Sequence, residues 1–336
     1  MSELSALIFN LHRLSTDDGP GLRDTFFLKG CALRCAWCHN PESFSLLPEV
    51  WWLSQRCIGA RDCIRVCPEE ALRLTAQGLV IDHERCAGCG RCVESCPSQA
   101  IELLGRSWTV KQLVAEALKD RLFFQNSGGG VTVSGGEPCL QAEFVAEFFA
   151  GCQAQGIHTA LDTCGFPAWD DWAPVLAHTD LVLYDLKESD PERHRAFTGV
   201  ANDRIHANLQ RLADYQDRHA GRPAIWIRTP LIPDYTATEE NLSALGQFQK
   251  AGESALFAHL THRLDPQFFE TLFALVEVDV PDFVGGLWNP YIMEQPCVLV
   301  QQVARFKRRV GCFRCNGQSC HLGTVLAPHS RLARQR

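Results

Sequence analysis

The sequence predicts an α/β protein: a largely parallel sheet with crossover helices, open or closed into a barrel, interrupted near its start by a cysteine-rich insert. Two observations carry this. Strand-like and helix-period segments alternate from about residue 107 to about residue 250. Ahead of them, eleven of the 17 cysteines crowd between Cys31 and Cys139.

Composition bounds the rest. The chain has 336 residues, 46% hydrophobic and 21% charged, as in an ordinary globular protein. No apolar run reaches the length of a membrane helix. The start, MSELSALIFN, lacks a basic segment followed by an apolar core, so a reducing, cytoplasmic compartment is expected. Clustered cysteines there favour metal or redox work over disulfides. The net charge is −7, and residues 295–336 carry eight Arg and Lys and no acid, leaving −15 on the rest. An acidic body argues against nucleic acid as a partner.

The elements follow in order. CALRCAWCHNPESF (31–44) places Cys31, Cys35 and Cys38 within eight residues. From spacing alone a zinc site completed by His39 or a remote ligand competes with an iron–sulfur cluster. Next come two related runs, CIGARDCIRVCPEEAL (57–72) and CAGCGRCVESCPSQAI (86–101). The second is a complete C-x2-C-x2-C-x3-C-P, the spacing of bacterial two-cluster ferredoxins, in which the fourth cysteine ligates the other cluster. It shifts the first motif towards iron–sulfur. Crossed ligation would give one auxiliary cluster Cys86, Cys89, Cys92 and Cys67. The other has only Cys57, Cys63 and Cys96, because Ala60 stands at the second cysteine position of the first run. That cluster is three-iron, recruits a ligand such as Asp62, or is lost.

WTVKQLVAEALKD (108–120) has a helical period. VTVS (131–134) reads as a strand, followed by a helix over about 141–155 with Phe144, Val145, Phe148 and Phe149 on one face. IHTALD (157–162) is a strand, then a helix is expected near 168–177. LVLYD (181–185) is a strand, with helical patterning to about Tyr215. AIWIR (224–228) is a strand, and TEENLSALGQFQK a helix capped by Thr238. The motif-like stretches SGGEP, DTCG, DLK and RTP each come just after a strand. In parallel α/β architectures that end gathers the active site. GGGVTVSGGEP (128–138) lacks both phosphate-loop and dinucleotide signatures, and carries Glu137. Cys139, Cys152 and Cys164 read as small buried hydrophobes.

Together, RLSTDDGPGLRDTFFLKGCALRCAWCHNPES, SGGGVTVSGGEP, GIHTALDTCGF, DLVLYDLK and IRTPLIP resemble the radical S-adenosylmethionine enzymes, and within them the glycyl-radical enzyme activating enzymes. The resemblance runs from about residue 5 to about residue 248. It implies a partial (βα)6 barrel over 1–45 and 107–250, with a two-cluster ferredoxin-like insert at 46–106.

It also implies a mechanism. Cys31, Cys35 and Cys38 would hold a catalytic [4Fe–4S] cluster whose open iron takes the amino and carboxylate groups of S-adenosylmethionine. Trp37, Cys38 and His39 would touch this cofactor. Gly135, Gly136 and Glu137 would receive its amino group, with Asp185, Leu186 and Lys187 along its other side. Asp162, Thr163 and Asp185 would hold a monovalent cation. One electron would cleave the sulfonium, and the 5′-deoxyadenosyl radical would take hydrogen from a glycine Cα of a partner protein. Asp18, His39 and Arg228 are candidates to meet the partner's glycyl loop. A flavodoxin or ferredoxin would supply the electron, and the chain would act as a monomer under anaerobic conditions. The rival functions are a radical enzyme acting on a small molecule and a pure electron-transfer protein.

The resemblance ends after Gln249. Residues 251–336 read either as an appended module, with Cys312, Cys315, Cys320 and His321 as a zinc-knuckle-like site, or as the product of a changed reading frame near residue 250. The abrupt loss of motif and the acid-free tail favour the second.

Overall fold

A computed structural model describes residues 3–249 and the strand 255–260. The remainder of 251–336, including the zinc-knuckle candidates, lies outside the described residues. The chain divides into two units, Met1–Leu256 and Phe257–Arg336.

The strands are β1 (Ser5–Ser15), β2 (Arg23–Leu28), β3 (Glu49–Trp52), β4 (Leu72–Thr75), β5 (Gly78–Ile81), β6 (Ile101–Leu104), β7 (Arg106–Thr109), β8 (Gly130–Gly135), β9 (His158–Thr163), β10 (Leu181–Asp185), β11 (Ala224–Leu231) and β12 (Ala255–Leu260). Within the first unit the central sheet runs β11-β10-β9-β8-β2-β1-β7. From β2 to β11 all neighbours in this order are parallel, and β1 and β7 finish that edge antiparallel.

The parallel register is what positions the site. Leu28 pairs with Gly135, Tyr184 with Thr163, and Asp185 with Arg228, so the motif residues emerge along one edge. Helix Ala142–Ala154 covers one face and buries Phe144, Val145, Phe148 and Phe149, as its period predicts. Phe148 meets Phe26 edge-on at 5.2 Å between centroids. Each such fully buried ring contributes about 2–3 kcal/mol. Helix Val110–Ala117 starts in a capping box between Thr109 and Gln112. Thr238 Oγ1 accepts from Asn241 N at 3.2 Å, the expected cap of helix Glu239–Gln249.

Three segments differ from the sequence reading. The helix expected near 168–177 is a turn of 3-10 helix, Trp169–Asp171, and one short turn, Ala173–Leu176. Patterning up to Tyr215 resolves into Pro191–Thr198 and Asp203–Arg218, because Gly199 ends the first at φ 85°. Strand β2 was not read as a strand: its apolar run is only Phe26, Phe27 and Leu28, preceded by Arg23, Asp24 and Thr25, which are fully buried.

Asp24 is an instructive case. Its Oδ1 accepts from Leu14 N at 3.1 Å, and Arg13 lies 3.5 Å from Oδ2. Burial pushes its carboxyl up to about 6, and the neighbouring Asp120 adds to the shift. A carboxyl raised in the fold adds no penalty below its unfolded pKa and its full penalty above its folded one. Asp24→Asn is therefore expected to stabilise the chain by up to about 3 kcal/mol above pH 6, with the gain fading as the pH falls from about 6 to about 4 and absent below that. Denaturant titrations at pH 8 and pH 4.5 check this.

Between β2 and β7 lies a small lobe with two sheets apart from the central one. β3 pairs antiparallel with β6, and β4 with β5. Its core is Val50, Leu72, Leu79, Cys92 and Ile101, with Cys63, Cys67, Cys86 and Cys96 packed against it. Lys29, at the end of β2, ties it to the sheet: the buried ammonium donates to Glu42 O at 2.8 Å and pairs with Glu49.

Candidate active site

The three-cysteine loop leaves β2 at Lys29 and is fixed through its backbone. Gly30 N donates to Ser43 O at 2.6 Å. Arg34 N and Ala36 N donate to Thr198 O at 2.7 Å and Phe197 O at 2.9 Å, the last carbonyls of helix Pro191–Thr198. Those carbonyls are the helix's own unsatisfied acceptors, so the loop closes the helix while the helix holds the loop. Cys31, Cys35 and Cys38 are free and half-buried. Burial pushes the Cys31 thiol up to about 11 and raises Cys35 and Cys38, while the Lys187 charge pulls all three the other way.

The SGGEP loop lies directly against this one. Gly136 N donates to Leu28 O at 2.8 Å, and Glu137 N to Gly30 O at 2.6 Å. A Cβ on Gly136 would stand 2.0 Å from Gly30 O, and one on Gly135 2.3 Å from Leu28 N, so no larger residue fits this backbone approach. Glu137 is fully buried and accepts from Cys139 N at 3.0 Å, Thr163 Oγ1 at 2.8 Å and Cys164 N at 2.8 Å. Its carboxylate locks the SGGEP loop to the DTCG turn.

Beyond these loops lies a charged network. Lys187 Nζ donates to Asp185 Oδ2 at 2.7 Å. Arg228 Nε donates to Asp185 Oδ1 at 3.1 Å, and its Nη2 pairs with Asp162. Ser134 Oγ donates to Asp162 Oδ2 at 2.7 Å. Burial alone would raise Asp185, yet Lys187 and Arg228 hold it down at about 2. Burial raises Asp162, and Arg228 opposes this. Of the trio expected around a cation, Asp162 and Asp185 come together, here about the Arg228 guanidinium, while the Thr163 hydroxyl turns to Glu137.

The remaining candidates lie around this centre. Trp37 is half-buried and meets Tyr235 edge-on at 5.7 Å and Phe197 at 6.2 Å. His39 is exposed, and Leu186 is buried with its N–H on Arg228 O at 2.8 Å. Asp18 accepts from Thr25 Oγ1 at 2.6 Å, and its charge acts on Arg228. Sequence reasoning missed Ser134, Phe197, Tyr235 and Arg23. Arg23 is buried, has no ion-pair partner among the described residues, and pins the DGPG turn to β8, donating to Thr132 Oγ1 at 2.7 Å and Pro20 O at 3.3 Å. Ser134 and Arg23 stand inside quoted motifs, SGGEP and DGPGLR, but no role was read for them there; Phe197 and Tyr235 have no local motif. Each acts through a partner far along the chain.

In the lobe, one cavity is lined by Cys67, Cys86, Cys89 and Cys92, and another by Cys57, Cys63 and Cys96 together with Ala60 and Asp62. These are the two crossed groupings read from the spacing. Among the described residues no three His, Cys, Asp or Glu side chains converge on a point for a single ion. Cluster thiolates bind separate irons and need no such point. Three soft thiols without a carboxylate among them suit iron–sulfur ligation.

A thiol-bearing loop and a charged network at the carboxyl edge of a parallel sheet define an α/β enzyme with its active site at that edge. Comparison with known proteins carries this further. Residues 25–245 match the family model of the radical SAM superfamily. The chain is 41% identical to the (2S)-3-sulfopropanediol dehydratase activating enzyme of Klebsiella oxytoca, over 72% of this chain and 76% of that one. It is 42% identical to the trans-4-hydroxy-L-proline dehydratase activating enzyme of Clostridioides difficile, over 71% and 78%. A crystal structure of a domain of pyruvate-formate lyase-activating enzyme from Bacteroides vulgatus matches at 29% identity and TM-score 0.40, over 44% of this chain and 93% of that one. The chain belongs to the radical SAM superfamily and, within it, to the activating enzymes of glycyl-radical enzymes. S-adenosylmethionine and a [4Fe–4S] cluster are its family's cofactors, and a glycyl-radical enzyme is its protein substrate.

Proposed function

We propose that Cys31, Cys35 and Cys38 are the cluster ligands, and that the space between Trp37, the SGGEP backbone and the Asp185–Lys187 segment takes S-adenosylmethionine. The observation that carries this is the direct seating of Gly136 and Glu137 on Gly30, one residue before Cys31. The bound pair supplies one-electron cleavage of the sulfonium and removal of hydrogen from a glycine Cα. The chain supplies position. Helix Pro191–Thr198 and Gly30 fix the thiols from two sides, Glu137 keeps the glycine loop from moving, and Asp185 keeps Lys187 charged. Burial around the thiols excludes water from the bond to be broken.

Asp18, His39 and Arg228 are assigned to the partner's glycyl loop, and Asp162, Thr163 and Asp185 to a monovalent cation. The lobe at 46–106 is read as a ferredoxin-type domain with one cluster on Cys67, Cys86, Cys89 and Cys92 and a second on Cys57, Cys63 and Cys96. It would pass electrons from a flavodoxin or ferredoxin. Cytoplasmic, anaerobic action as a monomer completes the reading. Among the described residues no helix is long and apolar enough to cross a membrane.

The test is anaerobic reconstitution with iron and sulfide, then dithionite and S-adenosylmethionine. Methionine and 5′-deoxyadenosine are expected, and a glycyl-radical doublet in electron paramagnetic resonance once the co-encoded glycyl-radical protein is added. Cleavage that survives Cys35→Ala unchanged would overturn the ligand assignment.

A further inference from the structure

The two cysteine runs of the lobe share a backbone as well as a spacing. Gly59 and Gly88 have φ of 72° and 64°, Arg61 and Gly90 of 66° and 76°, and Glu70 and Gln99 of 49° and 52°. Cys67 Sγ accepts from Ala71 N at 3.3 Å, and Cys96 Sγ from Ala100 N at 3.2 Å. The short helices Asp62–Arg65 and Arg91–Glu94 begin at the same point of each run. Ala60 therefore stands where Cys89 stands, in a loop that is still folded as a ligand loop. Arg61 holds a left-handed conformation that glycine holds in the other run, at a cost of about 1 kcal/mol. A loop that had merely lost its purpose would have no reason to keep that strain.

Among the described residues the thiols around this loop stop at three. Cys57, Cys63 and Cys96 line the cavity, and the stretch Ile58–Arg61, which also lines it, is exposed. Asp62 is the carboxylate that lines the cavity, and Arg65 of its own helix turn already pairs with it. A cubane in this cradle would have three irons held by thiolates and a fourth facing solvent at Ala60. An iron without a protein ligand is the one that leaves on oxidation.

We propose that Cys57, Cys63 and Cys96 form an exchangeable-iron site that interconverts between three-iron and four-iron clusters by binding and releasing one ferrous ion at the Ala60 corner. This rests on the reading of the lobe as a two-cluster domain. The step balances as [3Fe–4S]+ plus Fe2+ plus one electron giving [4Fe–4S]2+. The electron comes from the one-electron donor that sulfonium cleavage itself requires. The relay into the active site would then depend on ferrous iron and on the absence of oxidant, while Cys67, Cys86, Cys89 and Cys92 hold their cluster with four thiolates throughout.

The experiment uses the full chain carrying Cys31→Ala, Cys35→Ala and Cys38→Ala, which removes the other site with an open iron. The reconstituted protein is oxidised with ferricyanide beside a ferrous chelator, and followed by electron paramagnetic resonance and iron analysis. A three-iron signal is expected, with loss of about one iron per chain. Ferrous ion with dithionite should restore both. Adding Ala60→Cys should abolish the signal, and Asp62→Asn should leave it unchanged. Loss of the signal in Asp62→Asn, or no signal with one stable cluster's iron still present, overturns the exchangeable site alone. Absence of all iron in the triple variant overturns the two-cluster reading as well. If the triple variant does not fold, the wild-type chain is compared with its Ala60→Cys variant: the signal should fall but persist, and the iron lost should drop by about one per chain, an equal loss in both overturning the exchangeable site.

Discussion

Arg228→Met is expected to destabilise the fold by about 3–5 kcal/mol at pH 7, because it leaves two buried carboxylates without their shared cation. The pH dependence distinguishes this from lost packing. In the wild type Asp185 is held at about 2, below its unfolded value, so its stabilisation is present above about pH 4 and is lost as the pH falls towards 2. Without Arg228, burial drives Asp162 upward, while Lys187 still holds Asp185 down. The variant then loses stability as the pH rises through the new value of Asp162. Denaturant titrations at pH 4.5 and pH 7.5 should show the deficit of the variant shrinking in acid. A deficit equal at both values would contradict the electrostatic account.

Gly136→Ala is expected to be the most damaging single-methyl change at the site. The new Cβ would stand 2.0 Å from Gly30 O and 3.1 Å from Ser43 O, both backbone atoms, so a loop must move. The loop that moves carries Cys31. Overpacking of this kind costs about 1–3 kcal/mol of stability. The larger effect is on rate, where a shift of about 1 Å in a reacting group costs about a hundredfold. Sulfonium cleavage should fall by at least that factor, with weaker retention of iron and a modest fall in melting temperature. Wild-type cleavage in this variant would show that the glycine loop does not set the thiols.

The three-cysteine loop, the SGGEP loop and the two related cysteine runs were legible as motifs because their spacing is local. The parallel strands from 130 to 228 were legible because they are apolar runs, and Thr238 because its cap is local. Strand β2 was not. Buried Arg23 and Asp24 break its pattern, and they are tolerable only because Thr132, Pro20, Leu14 and Arg13 receive them from elsewhere. Helix Pro191–Thr198 was read only as helical patterning, and its two carbonyls hold the three-cysteine loop.

By itself, then, the sequence determined which atoms are available: three thiols here, seven in the lobe, a glycine pair, and an alanine in place of a cysteine. Ligand type and spacing need only a short stretch of chain, so they survive in one dimension. Tertiary structure decided what each carboxylate is for. Glu137 became a buried lock, Asp185 the keeper of Lys187, and Asp162 the partner of Arg228 across two strands. A carboxylate's role depends on which donor meets it and how much water is left, and both are set only when distant segments pack.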